Sequence, residues 1–211
     1  MDFLSAAAQM AGMRSAATHR VHDRFGGTEG NEILTSATAV LLTIPLIAEG
    51  LTIVHMGGLV NAHMFIGMVL IPPVVLKLAS TGYRFVRYYT GSRPYRAKGP
   101  PPLPLRLLAP LLVATTLAVF VTGVLLLIAG HKSDTLLLVH KVSFIVWGVV
   151  FAVHFLAYVP RVVRSLLADW GAARRDAVAG AGLRALLLAA ALGGGTALGL
   201  SLLPAMEAWH A

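Results

Sequence analysis

Hydrophobic residues are concentrated in five long runs along this chain, and shorter polar or basic segments separate them. Each run has about the 20 residues that a helix needs to cross the hydrocarbon core of a bilayer. A single segment in hydrocarbon can satisfy its own backbone amides only as a helix. The sequence therefore predicts five transmembrane helices, at about Ile33–Val54, Leu59–Ser80, Leu107–Ala129, Thr135–Pro160 and Leu183–Leu203.

The composition agrees with these runs. Of 211 residues, 57% are hydrophobic and only 12% are charged, and the mean hydropathy is +0.77. A soluble domain of this length carries more charge on its surface. We predict an all-α integral membrane protein with a four-helix transmembrane core at residues 33–165. The other predicted parts are a cytoplasmic tail (1–32), a cytoplasmic connector (166–182), and a peripheral fifth helix with a short outer C-terminus (183–211).

Positive charge is distributed unevenly between the polar segments, and the formal net charge is +8. The positive-inside rule predicts a protein of the cytoplasmic membrane, with two basic loops and the N-terminus in the cytoplasm and the C-terminus outside. The arginines are expected to set topology, contact anionic lipid headgroups or meet carboxylates near the membrane surface, so nucleic acid is not a predicted partner. The basic residues of the two loops are Arg84, Arg87, Arg93, Arg96, Lys98 and Arg106, then Arg161, Arg164, Arg174, Arg175 and Arg184.

Three further features limit what the chain can be. It contains no cysteine, which excludes disulfides, iron–sulfur clusters and thiolate-ligated or covalently attached haem. Arg14, Arg20 and Arg24 interrupt the apolar stretches of the N-terminal tail, so no signal peptide is predicted there. The proline-rich segment SRPYRAKGPPPLP (residues 92–104) is predicted to be extended and not helical.

The fourth run contains two histidines, His140 and His154. Fourteen helical residues correspond to about 21 Å of rise and to about 40° less than four full turns. Both imidazoles therefore lie on nearly one face, at two depths, and must face the bundle because exposure to lipid is costly. His63 of the second run lies at the outer depth of His140, and Gly67, one turn later, leaves room for a ring. The arrangement predicts haem b bound by His63 and His140 on opposite helices.

Lys77 lies fourteen residues after His63, at the depth of His154. Three roles stay open for it. It could bind a second iron as a neutral amine, pair with a haem propionate, or extend along the helix to the membrane surface. One or two haems are therefore expected, with two preferred.

Other polar residues are secondary candidates. His55 is an interfacial histidine and the substitute ligand if His63 does not bind iron. Arg84 and Arg87 leave the second span where inner propionates would lie, and arginine forks bind carboxylates bidentately; anchoring to lipid headgroups is the alternative. Glu49 is predicted to be protonated or paired, with a role in proton transfer near a quinone as another option. The histidines expected to be incidental are His19, His22, His131 and His210.

Three segments resemble actinobacterial membrane proteins of the cytochrome b, cytochrome b561-like (ferric-reductase-like) type. They are HMFIGMVLIPPVVLKLASTGYRFVRYYTG, YRAKGPP and LLLVHKVSFIVWGVVFAVHFLAYVP, and the resemblance covers roughly residues 33–165. It implies a b-type haem electron carrier, with His63, His140 and His154 at the matching positions. The broader class has two histidines on each of two helices, whereas this chain has Lys77 in place of the fourth.

These features predict electron transfer between a quinol or cytoplasmic donor and an acceptor on the outer side. No glycine-rich pattern for a nucleotide or flavin is visible, so we expect a subunit or partner of a redox complex more than a self-contained enzyme. Membrane lipid and a second redox protein are the expected partners, with quinone as a further candidate. The alternative is a haem-free membrane anchor or small transporter whose histidines bind a metal ion or relay protons.

Overall fold

The computed structural model describes residues 26–100, 102–130, 133–169 and 178–209. Seven helices and no strand are present in these residues. Five of the helices are long and apolar enough to cross a membrane, which confirms the prediction of an all-α protein with five spans. The long helices are α1 (Gly27–Val54), α2 (Met56–Tyr89), α4 (Leu103–Ala129), α5 (Asp134–Asp169) and α6 (Ala181–Ser201), and the short ones are α3 (Arg93–Ala97) and α7 (Leu203–Ala208).

The proline-rich segment differs from the prediction, because it contains α3 and the start of α4. Pro94 and Pro104 each lie in the first turn of their helix, where a missing N–H costs no hydrogen bond and the proline φ suits the helix. Tyr95 holds α3 in place: it is only 5% exposed, and its hydroxyl donates to the carbonyl oxygen of Gly27 at 3.4 Å. The prediction that this segment is not helical was therefore wrong.

The long helices are arranged as two hairpins and one further helix. Helices α1 and α2 pack together along their length and join at His55, and α4 packs in the same way against α5. The hairpins touch mainly between α2 and α4. The short helix α7 contacts both of these helices. We call the end of the bundle at His55 the His55 end, and the end where α3 packs the Tyr95 end.

Helix α6, the last of the five long helices, packs closely along α2. A Cβ atom at Gly195 would lie 2.2 Å from the carbonyl oxygen of Val69. Pro73 has no N–H to donate to that carbonyl, so the helix has a free acceptor at this point. A glycine backbone can approach it and supply weak Cα–H contacts. Gly195 and Gly199 of the segment LGGGTALG thus serve packing inside this chain.

A small core lies where α2, α4, α6 and α7 meet. Met206 of α7 is 1% exposed and packs with Met68 and Leu127. The indole N–H of Trp209 donates to the carbonyl oxygen of Leu126 at 3.1 Å, which joins the end of the chain to α4. This core connects the second hairpin to the rest of the molecule close to His63.

Candidate functional site

His63 of α2 and His140 of α5 meet toward the His55 end of the bundle. Their ring centroids are 6.4 Å apart and the ring planes are at 75°. A metal–nitrogen bond of about 2 Å puts the centroids of two imidazoles on one metal about 6 Å apart. The structure therefore brings together the two histidines that were predicted to lie at one depth. The distance between their ring centroids is that expected for two imidazoles bound to a single metal ion.

The ring of His63 is held by two groups of α1. Its Nδ1 lies 3.1 Å from Oγ1 of Thr52 and 3.0 Å from Oε1 of Glu49. The Thr52 hydroxyl donates its proton to the backbone carbonyl of Glu49 at 2.6 Å, so its oxygen acts as an acceptor toward the ring. Nδ1 of His63 therefore carries the ring proton.

The ring of His140 is held in the same manner by α4. Its Nδ1 lies 2.9 Å from Oγ1 of Thr122, whose hydroxyl donates to the carbonyl oxygen of Ala118 at 2.7 Å. Gly123 borders the ring, and a Cβ atom there would be 3.2 Å from Cε1 of His140. This ring also carries its proton on Nδ1.

Both imidazoles are thus held in the tautomer that a metal ligand needs. With Nδ1 protonated and bonded to the protein, Nε2 has the lone pair and can bind a metal. The sequence analysis did not identify Thr52, Thr122 or Gly123. Each lies on a different helix from the ring that it holds. Residue spacing within one helix therefore could not predict the contact. Glu49, for which pairing was one prediction, is paired with His63.

Gly67 and His55 lie beside this site and are not part of the histidine pair. A Cβ atom at Gly67 would be 3.6 Å from Oε1 of Glu49, so this glycine faces the carboxyl group of α1. His55 is exposed at the end of α1, and its Nδ1 lies 3.3 Å from the carbonyl oxygen of Leu51. It shares no contact with the two facing rings.

Lys77 points into the interface between α1 and α2. Its Nζ donates to the carbonyl oxygen of Thr35 at 2.7 Å. The side chain thus reaches the part of α1 that lies near the Tyr95 end, and the three roles predicted for Lys77 stay predictions. Asn31 and Ser80 extend the polar contact toward the Tyr95 end, where the Asn31 amide donates to the Ser80 carbonyl at 3.2 Å.

His154 has an unfilled hydrogen-bonding position. Its ring stacks on Tyr158 with centroids 4.6 Å apart. Its Nδ1 is buried and has no hydrogen-bond partner in the described part of the chain. Buried polar atoms in proteins almost always have a hydrogen-bond partner, so His154 is set apart from His63 and His140, whose Nδ1 atoms are both bonded.

The two candidate arginines contact protein groups at the Tyr95 end. Arg84 lies 4.0 Å from a carboxylate oxygen of Glu32, which also pairs with Lys98. Arg87 donates to Oγ of Ser92 at 3.3 Å, and its guanidinium lies 6.0 Å from the centre of the Tyr95 ring. Arg87 thus helps to fix the connector that contains α3, whereas Arg84 contacts α1.

Aromatic side chains follow the face of α5 between the two histidine levels. Trp147 stacks on Phe151 with centroids 4.8 Å apart, and Phe151 stacks on Phe155 at 5.7 Å. The indole N–H of Trp147 donates to Oγ1 of Thr116 at 3.1 Å. The three aromatic rings thus form a stacked row along α5.

Within residues 26–100, 102–130, 133–169 and 178–209, no group of three or more histidine, cysteine or acidic side chains is arranged to hold a metal ion. His131 and His19, His22 and His210 lie outside the described residues. Comparison of this chain with protein-family models, with characterised proteins and with solved structures finds no match.

Proposed function

We propose that this protein is a membrane haem b protein that transfers electrons, with His63 and His140 as the axial ligands of one iron. The observation that carries the proposal is the pair of facing imidazoles, 6.4 Å apart and each anchored through Nδ1. Two ligands from the protein suffice for haem, because the porphyrin supplies four nitrogens of its own. The resemblance of the sequence to cytochrome b561-like proteins supports the same assignment.

The residues around the pair suit a bound haem. Haem iron supplies reversible one-electron chemistry, and the protein sets its potential through the ligands, their hydrogen bonds and the surrounding dielectric. Thr52 and Thr122 orient the two rings, and Gly123 lets the His140 ring lie against α4.

The level of His154 and Lys77 supports a second cofactor contact, with two haems preferred over one. The unpartnered Nδ1 of His154 is the group that suggests it. Lys77 would serve there as a neutral amine ligand or as a partner of a haem carboxylate. Arg84 and Arg87 are the proposed partners of the remaining carboxylates.

The proposed location is the cytoplasmic membrane, with the Tyr95 end in the cytoplasm. This orientation follows from the basic residues of the connector, of which Arg93, Arg96 and Lys98 are exposed. The protein would receive electrons from a quinol or a cytoplasmic donor and pass them to an acceptor outside. A redox partner on another chain is expected.

An absorption spectrum of the purified protein, produced with ample haem, tests the proposal. Reduction with dithionite should give a sharp b-type α band, and the pyridine haemochrome assay should give one or two haems per chain. His63→Ala and His140→Ala should remove the same haem, whereas His55→Ala, a matched exposed histidine, should keep it. A wild-type protein without the α band would favour the haem-free alternative, and loss of different haems in the two variants would refute the pairing.

A further inference from the structure

We propose that the short helix α3 carries a binding site for an anionic phospholipid, in which the guanidinium groups of Arg93 and Arg96 hold the headgroup phosphate. Both side chains are exposed. They lie three residues apart on one helix, so they are neighbours on its surface. The planar fork of an arginine side chain matches the geometry of a phosphate group. This site lies apart from the histidines and does not require a bound haem.

A buried residue between the two arginines fixes α3 to the bundle. Tyr95 is 5% exposed, its hydroxyl donates to the carbonyl oxygen of Gly27, and its ring packs edge-on against that of Tyr83 with centroids 6.0 Å apart. Ser92, the residue before α3, accepts a hydrogen bond from Arg87. The backbone that carries the two exposed arginines is thus held in place by the protein itself, which reduces the entropy that is lost when a ligand binds.

Carboxylate pairing divides the basic residues at the Tyr95 end into two groups. Glu32 of α1 pairs with Lys98 and lies 4.0 Å from Arg84. Among the residues that the structure describes, no carboxylate forms an ion pair with Arg93 or Arg96. The positive charge of α3 is therefore uncompensated by the protein and attracts an anionic group.

The surroundings of α3 favour a lipid as the source of that anion. The connector joins the end of α2, at Tyr89, to the start of α4, at Leu103, and these side chains are 59% and 65% exposed. Arg106 of α4 donates to the Tyr89 hydroxyl at 3.0 Å. Tyrosine and arginine at the ends of apolar spans are typical of the membrane–water interface, so α3 lies at the depth of the lipid headgroups. A phospholipid can bind the arginines through its phosphate and cover the exposed apolar side chains with its acyl chains, whereas an acidic protein segment offers only the charge.

Native mass spectrometry of the purified protein tests the proposal. Titration with phosphatidylglycerol, and separately with phosphatidylcholine, gives the dissociation constant of the first bound lipid of each kind. We expect the wild-type protein to bind phosphatidylglycerol more tightly. An arginine near the membrane surface contributes about fivefold to the affinity for anionic lipid, so Arg93→Gln and Arg96→Gln should each weaken phosphatidylglycerol binding by about that factor and leave phosphatidylcholine binding unchanged.

Lys98→Gln is the matched control, because it removes the same charge from the same connector at a side chain that Glu32 already pairs. We expect a smaller loss of phosphatidylglycerol affinity in this variant. Equal losses in all three variants would show a response to net charge alone and would overturn the proposal, as would equal wild-type affinities for the two lipids. Polyglutamate provides the last comparison: if the two arginine variants weaken its binding and not that of phosphatidylglycerol, the surface binds an acidic protein segment and the lipid assignment is wrong.

Discussion

Gly123 of α4 lies directly against the ring of His140 on α5, so that a Cβ atom at this glycine would be 3.2 Å from Cε1 of the imidazole. Nδ1 of the same ring forms a hydrogen bond with Oγ1 of Thr122, the residue before Gly123. One short stretch of α4 therefore fixes both the position and the tautomer of the histidine.

Substitution of Gly123 should displace this ring. Gly123→Val introduces branched carbons where even a single Cβ is tighter than ordinary contact, so we expect a lower haem content per chain and an altered α band. The measurement is the reduced spectrum together with the pyridine haemochrome assay. Gly82→Ala is the control, since a Cβ atom at Gly82 has no neighbour within 4 Å. Full haem content in Gly123→Val would contradict the contact.

Thr122→Val should weaken cofactor binding without a change of shape. The variant leaves Nδ1 of His140 without its acceptor, and loss of such a partner typically costs about 10–100-fold in affinity. Haem transfer to an excess of a haem-scavenging protein would measure this as faster loss. Thr115→Val is the matched control on the same helix, because the Thr115 hydroxyl bonds to carbonyls of its own helix. Equal transfer rates for the two variants would exclude a role for Thr122.

Gly195→Ala should destabilise the packing of α6 on α2. A methyl group would lie 2.2 Å from the Val69 carbonyl oxygen, a backbone atom that moves only if the helices separate. Overpacking of this kind costs about 1–3 kcal/mol of unfolding free energy. Thermal unfolding in detergent provides the measurement, with Gly194→Ala, whose Cβ atom would have no neighbour within 4 Å, as the control. Equal stability of the two variants would contradict the close approach.

Lys77→Met tests whether Lys77 contacts a cofactor at the depth of His154. The variant removes the hydrogen bond from Nζ to the Thr35 carbonyl, and it removes the amine at the depth of His154. If two haems bind, we expect the spectrum and potential of only one of them to change, and the haem between His63 and His140 should keep its α band. Unchanged spectra and potentials would remove Lys77 from the set of cofactor contacts.

The number and type of the long elements were predictable because the hydrocarbon core of a membrane offers no hydrogen-bond partners to the backbone. A segment in lipid must satisfy its own backbone, so long apolar runs become helices whatever their neighbours are. The regular rise and rotation of a helix then place residues in depth, which is why His63 and His140 were expected to be level. The helix Arg93–Ala97 was missed because Tyr95, a contact distant in sequence, stabilises it.

The sequence by itself determined the number of spans and the depths of the histidines. Only the tertiary structure decided that α6 packs along α2, that Thr52 and Glu49 hold one ring and Thr122 the other, and that Lys77 turns toward α1. The reason is that the spacing of residues in the sequence describes the faces of one helix and not its contacts with other helices. Lipid-facing and buried surfaces are about equally apolar in a membrane protein, so the pairing of helices depends on small residues and polar contacts between them.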